Sequence, residues 1–247
     1  MIIISSGVSF AQDVLMQQKA ARLYQTGTQL MDQKQYAAAL ENFNQYLSFN
    51  PISSSRQDAE YYRAICALNL YHADAEKRIQ DFANRYPTNP KASLANTELA
   101  NFFYNEKNYK KAANYFAKAD FNSLTPSEQN SAHFRWGYSL FSQKVLKDAL
   151  DQFNFVKTQG SQYGPASSYY AGFVEYSQAD YVNALTDLKR AEQAEAYATI
   201  VPYLIANVYY RTRKIYDNLL AYGKSVSSKP DLTNADEIAL MTSRGIL

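Results

Sequence analysis

The sequence contains few of the residues on which enzymes most often rely. Its 247 residues include one cysteine, Cys66, and two histidines, His72 and His133, which lie 61 positions apart. No cluster of histidine, cysteine or carboxylate residues has the spacing of zinc ligands, and there is neither a glycine-rich phosphate loop nor a nucleophile elbow. The sequence therefore predicts a protein that is not an enzyme and that binds no cofactor and no metal.

Long apolar runs and strongly basic stretches are also missing. A bilayer-spanning helix needs roughly 20 apolar residues, and no such run occurs, so we expect no transmembrane segment. The net charge is only +2, and the densest basic spot, around Lys107, Lys110, Lys111 and Lys118, is typical of a solvated helix face. Because nucleic-acid binding usually needs a strongly basic domain or stripe, we expect no nucleic-acid partner. The single cysteine excludes an internal disulfide, and its apolar neighbours Ile65 and Ala67 indicate a buried, unreactive thiol.

One stretch, Leu23 to Pro51, has the pattern of two antiparallel helices joined by a short polar turn. Apolar residues recur at steps of three and four on both sides of the turn, and Asn50-Pro51 ends the second helix. Gly27 and Ala39 lie twelve residues apart, and Phe43 follows one helical turn after Ala39. A glycine inside a helix costs about 1 kcal/mol relative to alanine, so we expect close approach of the second helix to compensate.

Imperfect copies of this hairpin follow along the chain. The small residue of the first helix recurs at intervals of 34 to 37 as Gly27, Ala64, Ala100, Gly137, Gly172 and Ala206. The small residue of the second helix recurs as Ala39, Ala112, Ala149 and Ala184, and the large residue after it as Phe43, Phe116, Phe153 and Leu188. In the second copy the corresponding distance, from Ala64 to Ala75, is one residue shorter. A period in this range is typical of helical-repeat proteins.

This pattern resembles the tetratricopeptide repeat (TPR), a helix-turn-helix unit of about 34 residues, as found in bacterial cell-envelope proteins. The resemblance implies an all-α fold, a right-handed superhelical solenoid of about six repeats within residues 12–247. The predicted repeats are 15–51, 56–90, 92–121, 127–160, 165–195 and 199–229, followed by 232–247 as a capping helix or the start of a further repeat. The same resemblance implies a protein-binding scaffold.

The first residues predict export from the cytoplasm. Ile2 to Ile4 are apolar, and Ser9-Phe10-Ala11 has the small residues of a signal-peptidase site. Residues 1–11 are therefore a signal-peptide remnant or a disordered N-terminus, although no basic residue precedes Lys19. We expect a periplasmic or outer-membrane-associated protein, with a cytoplasmic protein as the alternative.

The resemblance also implies where a partner binds, because the first helices of TPR hairpins line the inner groove of the superhelix. Projection of these helices predicts a groove of aromatic residues and two asparagines, which we call the aromatic row: Tyr61, Asn101, Tyr104, Phe134, Tyr138, Phe141, Tyr169, Phe173, Tyr176, Tyr203, Asn207 and Tyr210. Tyrosine offers a large rigid surface with a polar tip, so the row favours an extended peptide or a partner helix. For any single residue, packing between repeats is an equal alternative.

Two other functions remain open from the sequence. The same aromatic rings would suit stacking on sugars, so a protein that binds carbohydrate or peptidoglycan is the first alternative. The second alternative is the interaction part of a longer protein whose activity lies beyond residue 247. The oligomeric state and the identity of the partner leave no trace in the sequence.

Overall fold

The computed structural model describes residues 5–52, 54–212, 216–226, 234 and 236–239, and these residues form helices and no strands. The helices are α1 (Ser5–Asp32), α2 (Tyr36–Ser48), α3 (Ser54–Asn69), α4 (Ala75–Arg85), α5 (Pro90–Asn105), α6 (Tyr109–Phe116), α7 (Pro126–Ser142), α8 (Leu146–Val156), α9 (Gly164–Ser177), α10 (Tyr181–Glu192), α11 (Val201–Thr212) and α12 (Tyr216–Val226). Each predicted repeat thus corresponds to one pair of helices, and the all-α prediction is confirmed.

The chain divides into two compact units. The first contains residues up to Glu106 together with Ala117–Ser123, and the second contains Lys107–Phe116 together with the chain from Leu124 onward. The division runs through the third predicted repeat, because α5 belongs to the first unit and α6 to the second. Within each unit a helix packs mainly on the helices next to it in sequence, the contact pattern of a helical solenoid.

The predicted small and large residues form the core of the hairpins. Gly27, Gly137 and Gly172 face the large residue of the partner helix, namely Phe43, Phe153 and Leu188. The alanines at the paired position, Ala39, Ala112, Ala149 and Ala184, are all 0% exposed, and so are Phe43, Phe116, Phe153 and Leu188. The two helices of a hairpin therefore approach closely because the glycine of the first helix leaves room for the large side chain of the second.

The first helices end in the same way in both units. Lys34, Tyr71, Lys107, Lys144 and Ala179 all have a left-handed backbone with φ between 58° and 62°, and each lies seven residues after the small residue of its helix. After four of these helices the next amide donates back to a carbonyl five residues earlier, as in Asp180 N to Glu175 O at 2.9 Å and Gln35 N to Leu30 O at 2.8 Å. This is the Schellman pattern of helix termination.

Several starts of first helices follow the capping rules. The side chain of Asn89 accepts a hydrogen bond from the amide of Lys91, and Pro90 occupies the first turn of α5. Thr125 and Glu128 form a reciprocal capping box at the start of α7, with Pro126 in its first turn. The second hairpin departs from the others because α4 begins at Ala75 itself, whereas α2, α8 and α10 begin three residues before their core alanine. The connection between α3 and α4, predicted from the sequence to be one residue shorter, is therefore accompanied by the absence of the first helical turn of α4.

The described residues nearest both ends of the chain are helical. Helix α1 begins at Ser5, so residues 5–11 of the segment predicted as a leader remnant or disordered N-terminus are helical. At the other end, most of the predicted helix at 232–247 lies outside the described residues. Residues 236–239 are helical, and Ile238 is 2% exposed in the core formed with Ile205 and Val226. Within the described ranges, no helix combines the length and the apolar character needed to cross a bilayer.

Candidate functional site

The aromatic row in the second unit lies on α7, α9 and α11. Phe141 of α7 contacts Phe173 of α9 edge to face, with ring centroids 5.8 Å apart. Tyr138 meets the ring of Tyr170 at 5.4 Å, and Phe134 stacks on Tyr163 at 5.0 Å. These contacts join the aromatic residues of α7 to those of α9 and to Tyr163 just before it.

The row is unevenly exposed. Phe173 is 38% exposed and Tyr210 is 43% exposed. The other row residues of the second unit are half-buried: Phe134, Tyr138, Phe141, Tyr169, Tyr176, Tyr203 and Asn207. The amide of Asn207 donates to the carbonyl oxygen of Tyr203 at 2.9 Å, so one of its two polar atoms is already used within α11. A ligand would therefore meet ring faces and edges more than amide groups.

The part of the row in the first unit is less open. Tyr61 is 5% exposed, and its ring packs on Phe82 at 5.3 Å, so it belongs to the core rather than to a surface that a ligand reaches. Asn101 and Tyr104 on α5 are half-buried. Burial of Tyr61 beside Glu98 and Tyr62 also raises the pKa of its hydroxyl.

One residue that connects the row was missed by the sequence reasoning. Tyr170 contacts the rings of Phe134, Tyr138 and Phe141 on α7, with the nearest centroid 5.1 Å away, and stacks on Phe153 of α8 at 5.4 Å. It lies next to Tyr169 in sequence and two residues before Gly172, on the packing side of α9. Its spacing alone marks it as core, and its role between two hairpins becomes visible only when α7 and α9 are side by side.

A buried charged cluster at the end of α8 and on α9 and α10 was also missed. The ammonium group of Lys157 donates to Oδ2 of Asp187 and lies 3.9 Å from Oε1 of Glu175. Arg190 donates to Oδ1 of Asp187 at 2.6 Å. Asp187 is 2% exposed and Glu175 is 4% exposed. No local pattern marks this cluster, because Lys157 and Asp187 are 30 residues apart.

Glu175 is the least satisfied member of this cluster. Its Oε2 atom is buried and accepts no hydrogen bond from the described residues. Burial, followed by the negative charge of Asp187, raises the pKa of Glu175 to about 7, while Lys157 opposes the shift. In its protonated form Glu175 can donate a hydrogen bond to Asp187. The carboxyl groups of Glu175 and Asp187 thus lie together in the packing of α9 and α10, with Lys157 beside them.

The first unit contains a cavity of about 710 Å³, which we call the α1–α3 cleft. It opens between α1, the end of α2 and the start of α3, with Ala21, Tyr24, Tyr46 and Phe49 on its walls and Ile52 at its edge. Tyr24 lies three residues before Gly27, the position that Tyr61, Phe134, Tyr169 and Tyr203 occupy in other repeats. The sequence contained this signal, but Tyr24 was not included in the predicted row.

The residues with the best-known catalytic chemistry do not form a site. Cys66 is buried, and burial raises the pKa of its thiol to about 12, as expected for an unreactive cysteine. His133 stacks on Phe155 at 3.8 Å and pairs through Nδ1 with Gln152 at 2.8 Å, and burial lowers its pKa. His72 lies exposed in the turn before α4. Nowhere in the described ranges do three or more histidine, cysteine, aspartate or glutamate side chains gather as metal ligands would.

Comparison with known proteins supports the architecture. No protein-family model matches the chain, and no curated protein matches its sequence. Among solved structures, the apo form of RapI aligns with a TM-score of 0.57 at 12% identity, covering 98% of this chain and 80% of that one. The C-terminal part of a TPR repeat-containing protein from Cytophaga hutchinsonii aligns with a TM-score of 0.55 at 16% identity, covering 91% and 94% of the two chains.

A third solved structure, that of PilF from Pseudomonas aeruginosa, aligns with a TM-score of 0.53 at 15% identity and covers 93% of this chain and 97% of that one. These three solved structures belong to the class of helical-repeat proteins, and their repeat is the tetratricopeptide repeat. At such low identities the likeness establishes the fold alone. The predicted resemblance to TPR proteins is confirmed at that level.

Proposed function

We propose that this protein is a non-enzymatic scaffold that binds an extended peptide or a helix of a partner protein on the aromatic row of its second unit. One observation carries this proposal. Phe141 and Phe173, on successive first helices, are in contact, and the ring of Phe173 is also exposed to solvent. Aromatic rings held by their neighbours lose little freedom when a partner covers them, so their burial contributes to affinity.

Peptide selection tests the proposal directly. Random peptides displayed on phage would be selected on the purified full chain, and their affinities measured by calorimetry on the wild type and on Phe173→Ala and Tyr210→Ala variants. We expect each variant to weaken the selected peptides by about tenfold, typical of aromatic anchors at an interface. Val182→Ala is the matched control, because Val182 is an exposed apolar residue on the second helix α10 and should leave binding unchanged.

The same variants distinguish the carbohydrate alternative. Exposed rings such as those of Phe173 and Tyr210 would also stack on sugars, so soluble peptidoglycan fragments would be titrated in parallel. If such fragments bind the wild type but not Phe173→Ala, and no peptide behaves in this way, the function is carbohydrate binding and not a protein scaffold. Peptides that bind all variants equally would contradict the assignment of the aromatic row.

We further propose that the protein acts in the cell envelope, as the sequence around Ser9-Phe10-Ala11 supports. Expression of the complete reading frame in a bacterium, followed by fractionation and mass measurement of the N-terminus, tests this proposal. A periplasmic protein that begins at Gln12 is the expected result. A cytoplasmic protein that retains residues 1–11 would contradict it.

A further inference from the structure

The α1–α3 cleft combines a large volume with a lining that carries no charge. Its volume, about 710 Å³, falls in the range of sites that take a ligand or several side chains. The aromatic residues Tyr24, Tyr46 and Phe49 are among its lining residues, and burial together with the nearby Asp58 carboxylate raises the pKa of Tyr24 to about 12, so its hydroxyl stays neutral. Ile52 at the edge is fully exposed. This arrangement favours an apolar occupant.

Two cations lie beside lining residues of the cleft. The ammonium group of Lys19 lies 5.8 Å from the centre of the Phe49 ring, and Arg56 donates to the side chain of Asn50 at 2.6 Å. Arg56 shares the carboxylate of Glu60 with Arg85, at 3.4 Å and 2.8 Å respectively, so one acid serves two arginines. The other nearby acid, Asp58, is paired with Lys91 at 3.0 Å. An apolar cavity with this surplus of cations at its edge is complementary to an apolar segment that carries an acidic group.

We propose that the α1–α3 cleft is a second docking site, which takes an apolar segment of a partner protein with an acidic residue beside its apolar anchor. This inference rests on the proposed function only in taking a protein as the partner, because the cleft lies wholly in the first unit and shares no residue with the aromatic row. The anchor packs against Tyr24, Tyr46 and Phe49, and the acidic group pairs with Lys19 and Arg56.

Two substitutions separate the apolar and the charged parts of this site. Ala21→Trp fills the cleft from an exposed position on α1, and Lys19→Glu reverses the charge at its edge. Ala37→Trp and Lys77→Glu are matched controls, because both residues are exposed and neither lines the cleft. Circular dichroism and thermal melting of each variant verify that the fold is retained.

The probe is a set of displayed random peptides selected on the wild-type full chain and counter-selected on Ala21→Trp. We expect the enriched peptides to contain an apolar core flanked by aspartate or glutamate. Their affinity should fall by more than about tenfold on Ala21→Trp. It should fall by about three- to fivefold on Lys19→Glu, and less so at high salt.

The remaining outcomes would overturn the proposal. Enriched peptides with basic flanks, or peptides insensitive to Lys19→Glu, would contradict the charge assignment. Neutral phospholipid vesicles and the dye Nile red would be tested as apolar probes. If either binds the wild type but not Ala21→Trp, and no peptide behaves in this way, the occupant of the cleft is a small apolar ligand and not a protein. Peptides selected for the cleft must also keep their affinity for the Phe173→Ala variant. If the aromatic row proves not to bind peptides, the expected binding at the cleft is unaffected, so each proposal can be contradicted without the other.

Discussion

Gly27 of α1 and Phe43 of α2 are in direct contact, and a methyl group added at the glycine would not fit. A Cβ atom there would lie 2.8 Å from Cε1 and 3.0 Å from Cζ of Phe43. The same relationship recurs between Gly137 and Phe153 and between Gly172 and Leu188, each with a nearest approach of 2.8 Å. Loss of helix propensity at the glycine is therefore offset by the burial of a complete large side chain.

Gly137→Ala tests this relationship. Phe153 is 0% exposed, stacks on Tyr170 and meets Phe134 at a tilt, so its ring cannot move aside at low cost. We expect the free energy of unfolding to fall by about 1–3 kcal/mol, although alanine is favoured over glycine in a helix by about 1 kcal/mol. Gly137→Leu should be more severe. Urea denaturation followed by circular dichroism measures both.

Gly164→Ala is the control for that experiment. A Cβ atom at Gly164 would meet its nearest neighbour, the carbonyl oxygen of Lys157, at an ordinary 3.6 Å. We expect little change in stability there. Equal stability of wild type and Gly137→Ala would show that the helices separate easily, against the account of the hairpin.

Ala179→Gly should stabilise the protein. Ala179 has φ 61° in the turn after α9, a conformation that costs an L-residue about 1–2 kcal/mol and glycine almost nothing. Glycine also adds freedom to the unfolded chain, so we expect a net gain of about 0.5–1 kcal/mol in the free energy of unfolding. Ala38→Gly, at an exposed helical position in α2, should instead lose about 1 kcal/mol. A loss at both sites would contradict the left-handed backbone.

Stability should depend on pH through Glu175. Its pKa is about 7 in the folded state, above the ordinary value of 4.5, so between these values the folded protein holds a proton that the unfolded chain has released. The stabilisation is fully present below pH 4.5 and is lost as the pH rises through 7. The loss is on the order of 3 kcal/mol.

Glu175→Gln should remove this dependence and should make the protein more stable than the wild type above neutral pH. Denaturation midpoints measured at several pH values test the prediction. Glu41→Gln on the exposed face of α2 is the control and should leave the pH profile of the wild type unchanged. If Glu175→Gln has the same pH profile of stability as the wild type, Glu175 is not the cause of that profile.

Cys66 should resist thiol reagents in the folded protein. It is 0% exposed, and burial raises the pKa of its thiol to about 12, so little thiolate is present at pH 8. We expect Ellman's reagent to react slowly with the native chain and rapidly in guanidinium chloride, where one thiol should be counted. Fast reaction without denaturant would mean that α3 opens readily or that the thiol lies at the surface.

The hairpins could be predicted from the sequence because their determinants are local. Small and large residues at fixed spacing indicate which faces meet, and the predicted repeat 127–160 corresponds to α7 and α8. The left-handed turn residues could not be predicted in this way, since lysine, tyrosine and alanine occupy positions where glycine is usual. In these turns the hydrogen bonds of the helix end outweigh the local preference.

The candidate site was less accessible from the sequence, because exposure depends on neighbours that are distant in the chain. Helical periodicity places Tyr61 and Tyr104 on equivalent faces, but only Tyr61 is fully buried. The cluster of Lys157, Glu175, Asp187 and Arg190 joins residues from three helices, and none of them has a motif around it. Sequence periodicity therefore predicts the face of a helix, and the packing of the next helix decides whether that face is free.

Hydrogen–deuterium exchange of the full chain, alone and with a peptide selected on it, tests the central claim that first helices of the second unit carry the binding surface. The account predicts slower exchange in α9 around Phe173 and in α7 around Phe141 when the peptide is bound, with α8 and α10 unchanged. Protection confined to α8 and α10, or none in α7 and α9, would contradict it.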